Sequence, residues 1–276
     1  MKVLQRIFHF YIDASIHVAF AVFSLVHVTG ITFNIRVDYH LSWLLFFGTI
    51  VCYNFMKYGV EAEKYILVAN RYHRNIQFAS FIAFGLALYH AYFLKLEVWI
   101  GIACLLFLTV LYAIPMLPHL KRLRSWGGLK IFIVALVWAG TTVVLPVLSN
   151  SGPSFLDICI TSVQRFLFVL ILLVPFEIRD LIYDSPELKT LPQRYGVART
   201  KILGAFATLP FFFLGFFKDS IIMVDLVGSG TLFLILGGLM FVTKRNQGNY
   251  FASFWVEAIP ILWWVLLFFL QKLYHS

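Results

Sequence analysis

The sequence predicts an all-α, polytopic membrane protein, and three observations carry that prediction. Of 276 residues, 61% are hydrophobic and only 13% charged, against about 25% charged in an ordinary soluble domain. The mean hydropathy is +0.86. Apolar runs of about 20 residues, long enough to cross a hydrocarbon core of about 30 Å, recur along the whole chain. A bilayer offers no water to satisfy backbone groups, so such runs fold as helices.

Taken in order, the windows predict nine transmembrane helices over 14–33, 40–60, 76–94, 97–118, 129–149, 157–178, 199–217, 221–242 and 250–271. Residues 1–276 are expected to form a single transmembrane domain, with no soluble module at either end. Lys2 and Arg6 precede the first run as in a signal peptide, but no small-residue cleavage site follows, so the segment is expected to be retained. Cys52, Cys104 and Cys159 lie in apolar segments without CxxC spacing and read as small buried hydrophobes.

The net charge of +9 does not imply nucleic acid, because the basic residues punctuate the gaps between apolar runs. Lys2, Arg6, Lys57, Lys64, Arg71, Arg74, Lys121, Arg122, Arg124, Lys130, Arg179, Lys189, Arg194, Arg199, Lys201, Lys244 and Arg245 fall on one side. Only Arg36, Lys95, Lys218 and Lys272 fall on the other. That asymmetry predicts a cytoplasmic N-terminus. Loops 61–75, 119–129 and 179–198 carry both signs, whereas Leu148 to Phe155 carries none. Any site is therefore expected to open to the cytoplasm.

Chemistry concentrates after the sixth window, in Pro175-Phe-Glu-Ile-Arg-Asp-Leu-Ile-Tyr-Asp184 and Lys189-Thr-Leu-Pro-Gln-Arg-Tyr-Gly196. Glu177, Asp180 and Asp184 are spaced i, i+3 and i+7, which puts them on one helical face. Three like charges tolerate one another best around a cation. Oxygen ligands without His or Cys suit Mg²⁺, which takes one or two carboxylates plus substrate phosphates. The same run also reads as a solvated helix end with an Asp/Arg pair of little energetic weight.

The run from Glu177 through Asp180, Asp184 and Lys189-Thr-Leu-Pro to Gly196 resembles the second aspartate-rich motif of the UbiA family, the intramembrane aromatic prenyltransferases. Tyr112 to Pro115 followed by Lys121-Arg122 is similar to the segment after that family's fourth helix, and Lys130 through Trp138 to Pro146 to its fifth. The resemblance implies a UbiA-like helical bundle in a bacterial inner membrane, its functional face cytoplasmic. It implies Mg²⁺-dependent transfer of a prenyl group from a prenyl diphosphate to a lipophilic, aromatic acceptor. Asp180 and Asp184 would be catalytic; Glu177, Asp180, Asp184, Asn54 and Glu61 would hold metal; Lys57, Lys121, Arg122, Arg179 and Lys189 would face the diphosphate. Each of those cations is equally readable as a topology charge. The 30 Phe, 13 Tyr and 7 Trp could stabilise a carbocation or simply face lipid.

The family's first motif, Asn-Asp-x-x-Asp-x-x-x-Asp, is altered here: Asn54 matches, but Phe55, Tyr58 and Ala62 stand where aspartates are expected. Asn54, Tyr58 and Glu61 share a helical face, so Glu61 could supply one carboxylate. Tyr58 is a poor Mg²⁺ ligand, its phenol being neutral below a pKa of about 10. The other reading is that the first metal site is lost. The chain would then be a catalytically inactive relative that binds an isoprenoid lipid or serves as a membrane subunit of a larger complex. A transporter has little support, because neither an internal repeat nor a Gly/Pro-broken helix pair is visible.

Several polar residues fall within the windows: His17, His27, His90, Gln164, Arg165, Asp225 and Glu257. They are costly in lipid and should face the bundle. Arg165 is expected to pair with Asp225 or Glu257, and the histidines to be satisfied core residues.

Overall fold

The computed structural model describes residues 2–58, 71–113, 129–148, 150, 152–184 and 186–275, and these contain helices and turns but no strand. The helices are α1 (Lys2–Asp13), α2 (Ile16–Thr32), α3 (Tyr39–Tyr58), α4 (Arg71–Ala91), α5 (Leu96–Ala113), α6 (Leu129–Ala139), α7 (Phe155–Asp180), α8 (Leu191–Phe213), α9 (Met223–Val242) and α10 (Ile259–His275). A helix therefore lies in each apolar window. Five stretches are long and apolar enough to cross a membrane: Lys130–Leu148, Phe155–Asp180, Leu191–Phe217, Met223–Val242 and Phe251–Tyr274. The pair α1 and α2 reaches the same standard together, bent by 57° between them.

That bend falls at the start of the first expected span and sets an additional helix before it. Residues before Ala14 form a helix of their own, with Val3, Leu4, Ile7 and Phe8 on one face and Gln5, Arg6 and His9 on the other. Such a two-faced helix suits an interface rather than a crossing. The chain turns at Ser15, whose φ of 58° lies in the left-handed region, and a new helix starts behind it. A second break falls inside α8, where Gly196 has φ 77° and ψ 161°; a side chain there would be strained.

The largest core cluster draws on six helices around α7: Leu25 and Val28 from α2, Ala135 from α6, Phe168 and Leu172 from α7, Phe211 from α8, Leu236 and Met240 from α9, Trp263 and Leu267 from α10. Small residues let the backbones approach; a Cβ on Gly204 would lie 2.6 Å from the Met240 Sδ. On the outer side of α2, Ala19, Phe46, Ile50 and Ala83 join α3 and α4 to the bundle. Two π-turns interrupt the regular helices, at Gly140–Val144 after α6 and at Phe251–Val256 before α10.

The outside of the bundle carries many large apolar side chains, with Phe206, Leu234 and Phe241 among those exposed. In water this would be an aggregation surface. The same inversion corrects the cysteines: Cys104 and Cys159 are exposed and Cys52 is half-buried. An apolar segment in a membrane protein has a lipid-facing side as well as a core.

Candidate functional site

Helix α7 runs 26 residues and carries polar groups near both ends. At its C-terminal end Pro175 lacks the N–H that would continue the ladder, and its own carbonyl accepts from Gln247 Nε2 at 2.8 Å. Glu177, one turn from the end, is 6% exposed, and its Oε2 has no hydrogen-bond partner among the described residues. Arg179 and Asp180 form a two-pronged pair, Nε to Oδ1 at 2.7 Å and Nη2 to Oδ2 at 3.3 Å. The guanidinium also lies 5.1 Å from the Phe176 ring centre. Beyond the helix the chain curls back, and the N–H groups of Tyr183 and Asp184 both donate to the Asp180 carbonyl. Asp184 is thereby held near the helix end, and its own carbonyl accepts from Gln193 Nε2 at 3.3 Å.

Glu177, Asp180 and Asp184 feel one another's charge, with Lys130 from the first turn of α6 as the opposing cation. But α7 ends at Asp180, so Asp184 lies in the turn beyond it and not on the helical face that its spacing predicts. Partial burial raises the Asp184 carboxyl above its ordinary range; Lys130 opposes the shift and Asp180 adds to it. A neighbouring charged group consists of Lys57, Arg179, Asp13 and the half-buried Glu257. Lys130 and Glu257 were readable as site residues from direction alone. If the nine expected spans alternate in direction, the C-terminal end of the sixth and the N-terminal ends of the fifth and the ninth would share one side.

The first motif behaves differently. Asn54 is buried, and its Nδ2 donates to the Ala14 carbonyl at 3.1 Å and to Ser80 Oγ at 2.9 Å, joining α3 to α2 and α4. Its Oδ1 finds no partner among the described residues. The Tyr58 hydroxyl donates to the Asp13 carbonyl at 3.2 Å, and Phe55 is 74% exposed. Lys189 is exposed, with φ 47°. Glu61, Ala62, Lys121 and Arg122 lie outside the described residues. Among the described residues, no group of three His, Cys, Asp or Glu stands close enough to hold a metal ion. The oxygen chemistry of Glu177 and Asp184 still fits Mg²⁺ of the kind held by one or two carboxylates and completed by substrate phosphates.

The middle of α7 overturns the expected pairing of Arg165. The guanidinium is 1% exposed. Its Nη1 donates to the Leu25 carbonyl at 3.0 Å and Thr142 Oγ1 at 3.3 Å, and its Nη2 to Thr29 Oγ1 at 3.4 Å. It stacks 4.9 Å from the Trp263 ring centre. Asp225 instead binds Lys218 Nζ at 2.8 Å and accepts from Thr32 Oγ1 at 2.9 Å. Glu257 belongs to the C-terminal end of α7. Of the histidines, His17 is satisfied, with Nε2 donating to the Phe254 carbonyl at 2.9 Å and Nδ1 accepting from the Tyr11 hydroxyl at 2.8 Å.

Long apolar helices, an apolar exterior and polar groups gathered inside define an all-helical integral membrane protein. No family model, no curated protein and no solved structure matches the chain.

Proposed function

We propose that this chain is a UbiA-like protein of nine spans with a cytoplasmic N-terminus, and that it acts on a prenyl diphosphate at the C-terminal end of α7. The observation that carries this reading is the buried Glu177 carboxylate, its Oε2 without a partner among the described residues, beside Asp180, Asp184 and Lys130. Glu177 and Asp184 would hold Mg²⁺, which when bound offsets the charge of a departing diphosphate. Lys130, Lys57 and Arg179 are placed to steady the same anion, and the apolar helices would shelter the prenyl tail from water. The product would be a lipophilic, aromatic acceptor carrying the prenyl group.

A second reading has its own support. Asn54 and Tyr58 are engaged in helix–helix hydrogen bonds and Asp180 in an ion pair with Arg179. These favour an inactive relative that keeps the fold to bind an isoprenoid lipid or to join a larger membrane complex. Binding of a non-hydrolysable farnesyl or geranylgeranyl diphosphate analogue to detergent-purified protein separates the two. Mg²⁺-dependent binding that EDTA and the Asp180→Ala/Asp184→Ala double variant abolish supports the enzyme. Binding indifferent to Mg²⁺, in protein shown to be folded, favours the second reading.

A further inference from the structure

We infer that the cavity beside Arg165, remote from the acidic end of α7, is a binding site for one small monovalent anion of chloride size. The cavity measures about 10 Å³, room for a single water-sized body. Its wall includes Thr161, Arg165, Lys218, Asp225 and Trp263. Among the described residues, Arg165 Nε, Trp263 Nε1 and Thr161 Oγ1 have no hydrogen-bond partner, and all three side chains are at least nine-tenths buried.

The character of those groups selects the occupant. A guanidinium and an indole N–H only donate, and a threonine hydroxyl can donate. Gln164 Nε2 is engaged with the Phe211 carbonyl at 2.8 Å, and the Ser229 hydroxyl donates to the Leu226 carbonyl at 3.0 Å. A water molecule has two lone pairs and so accepts fewer hydrogen bonds than these three groups can donate, whereas an anion accepts from every side. Charge points the same way. Arg165 and Lys218 bring two cations to the wall and Asp225 one carboxylate, whose two oxygens are taken by Thr32 and Lys218. An unpaired buried charge is costly, and a bound anion would neutralise it.

The test is thermal unfolding of the detergent-purified full chain, titrated with sodium chloride or sodium bromide against sodium gluconate at constant ionic strength. Gluconate is too large for the cavity. The expected result is a saturable rise in the unfolding midpoint with chloride, a weaker one with the larger bromide, and none with gluconate. Trp263→Phe keeps an aromatic ring over Arg165 but loses one N–H donor. It should weaken the apparent halide affinity about tenfold, the scale of one hydrogen bond to a charged group. Thr161→Val serves the same purpose if the first variant does not fold. Superimposable halide and gluconate curves would overturn the proposal, as would an unchanged halide response in the folded variant. Neither result bears on diphosphate binding at the C-terminal end of α7.

Discussion

About three turns into α7 a single guanidinium, Arg165, enters the most buried layer of the bundle; at its C-terminal end the helix carries Glu177 and leads on to Asp180 and Asp184 at the bundle edge. Each region faces a π-turn on a neighbouring segment, an irregularity often found at functional sites. Near Arg165 the turn Gly140–Val144 presents Thr142, whose carbonyl accepts from Thr29 Oγ1 at 2.6 Å and whose hydroxyl accepts from the guanidinium. At the acidic end Phe251–Val256 leads directly into Glu257. The cation is tied to three different helical segments. The carboxylates are held by their own helix end and repel one another. The difference separates a charge tied into the fold from charges that the fold leaves in mutual repulsion.

Removing Arg165 should therefore have the largest effect on stability. Arg165→Met removes the donor to the Leu25 carbonyl, Thr29 and Thr142 and the stack on Trp263, several hydrogen bonds to a charged group each worth about 1.5–3 kcal/mol. The thermal midpoint in detergent should fall sharply, while diphosphate binding per folded molecule stays as in the wild type. A wild-type midpoint in Arg165→Met would dissolve the distinction between the two regions.

Asn54 lies toward the acidic end but behaves like Arg165. Asn54→Leu removes the donor to the Ala14 carbonyl and to Ser80 and should cost about 1–3 kcal/mol, read as a lower urea or thermal midpoint. Loss of Mg²⁺-dependent binding with stability retained would instead return the first motif to the site. Glu177→Gln should do the reverse. It relieves repulsion from Asp180 and Asp184, so the unfolding midpoint should hold or rise, while affinity for a prenyl diphosphate analogue with Mg²⁺ falls at least about tenfold, roughly 1.4 kcal/mol.

Most of the helical plan was legible, because apolar length is a direct physical requirement of a bilayer. What periodicity could not supply was direction within the plane. Cys104 and Cys159 turned out to face outward, since lipid and core reward the same side chains. Helix α1 was missed because its apolar face is too short to register as a span. At the acidic end, helical spacing held only as far as Asp180, where α7 ends; Asp184 is kept nearby by the turn that folds back onto the Asp180 carbonyl. The residues that surround them from other helices, Lys130 and Glu257, needed the alternation of spans. Arg165 was rightly marked as buried, but its partners are two carbonyl- and hydroxyl-bearing segments that no charge pattern reveals.

Asp184 offers the finest probe of the contrast, and the smallest effect. Its carboxyl titrates above the ordinary range in the fold, chiefly through burial, with Lys130 opposing and Asp180 reinforcing. The folded protein therefore takes up this proton before the unfolded chain does, so stability from this group rises as pH falls through that window. Asp184→Asn removes the step and fixes the neutral state. Near pH 7 the variant should unfold slightly above the wild type, and the gap should close as pH falls toward the ordinary carboxylate pKa of about 4. Because the side chain is only partly shielded, added salt should narrow the gap as well. A gap that widened on acidification would mean that Asp184 is held as a carboxylate by Lys130, making the pair a structural contact like Lys218 and Asp225 rather than a charge reserved for a cation.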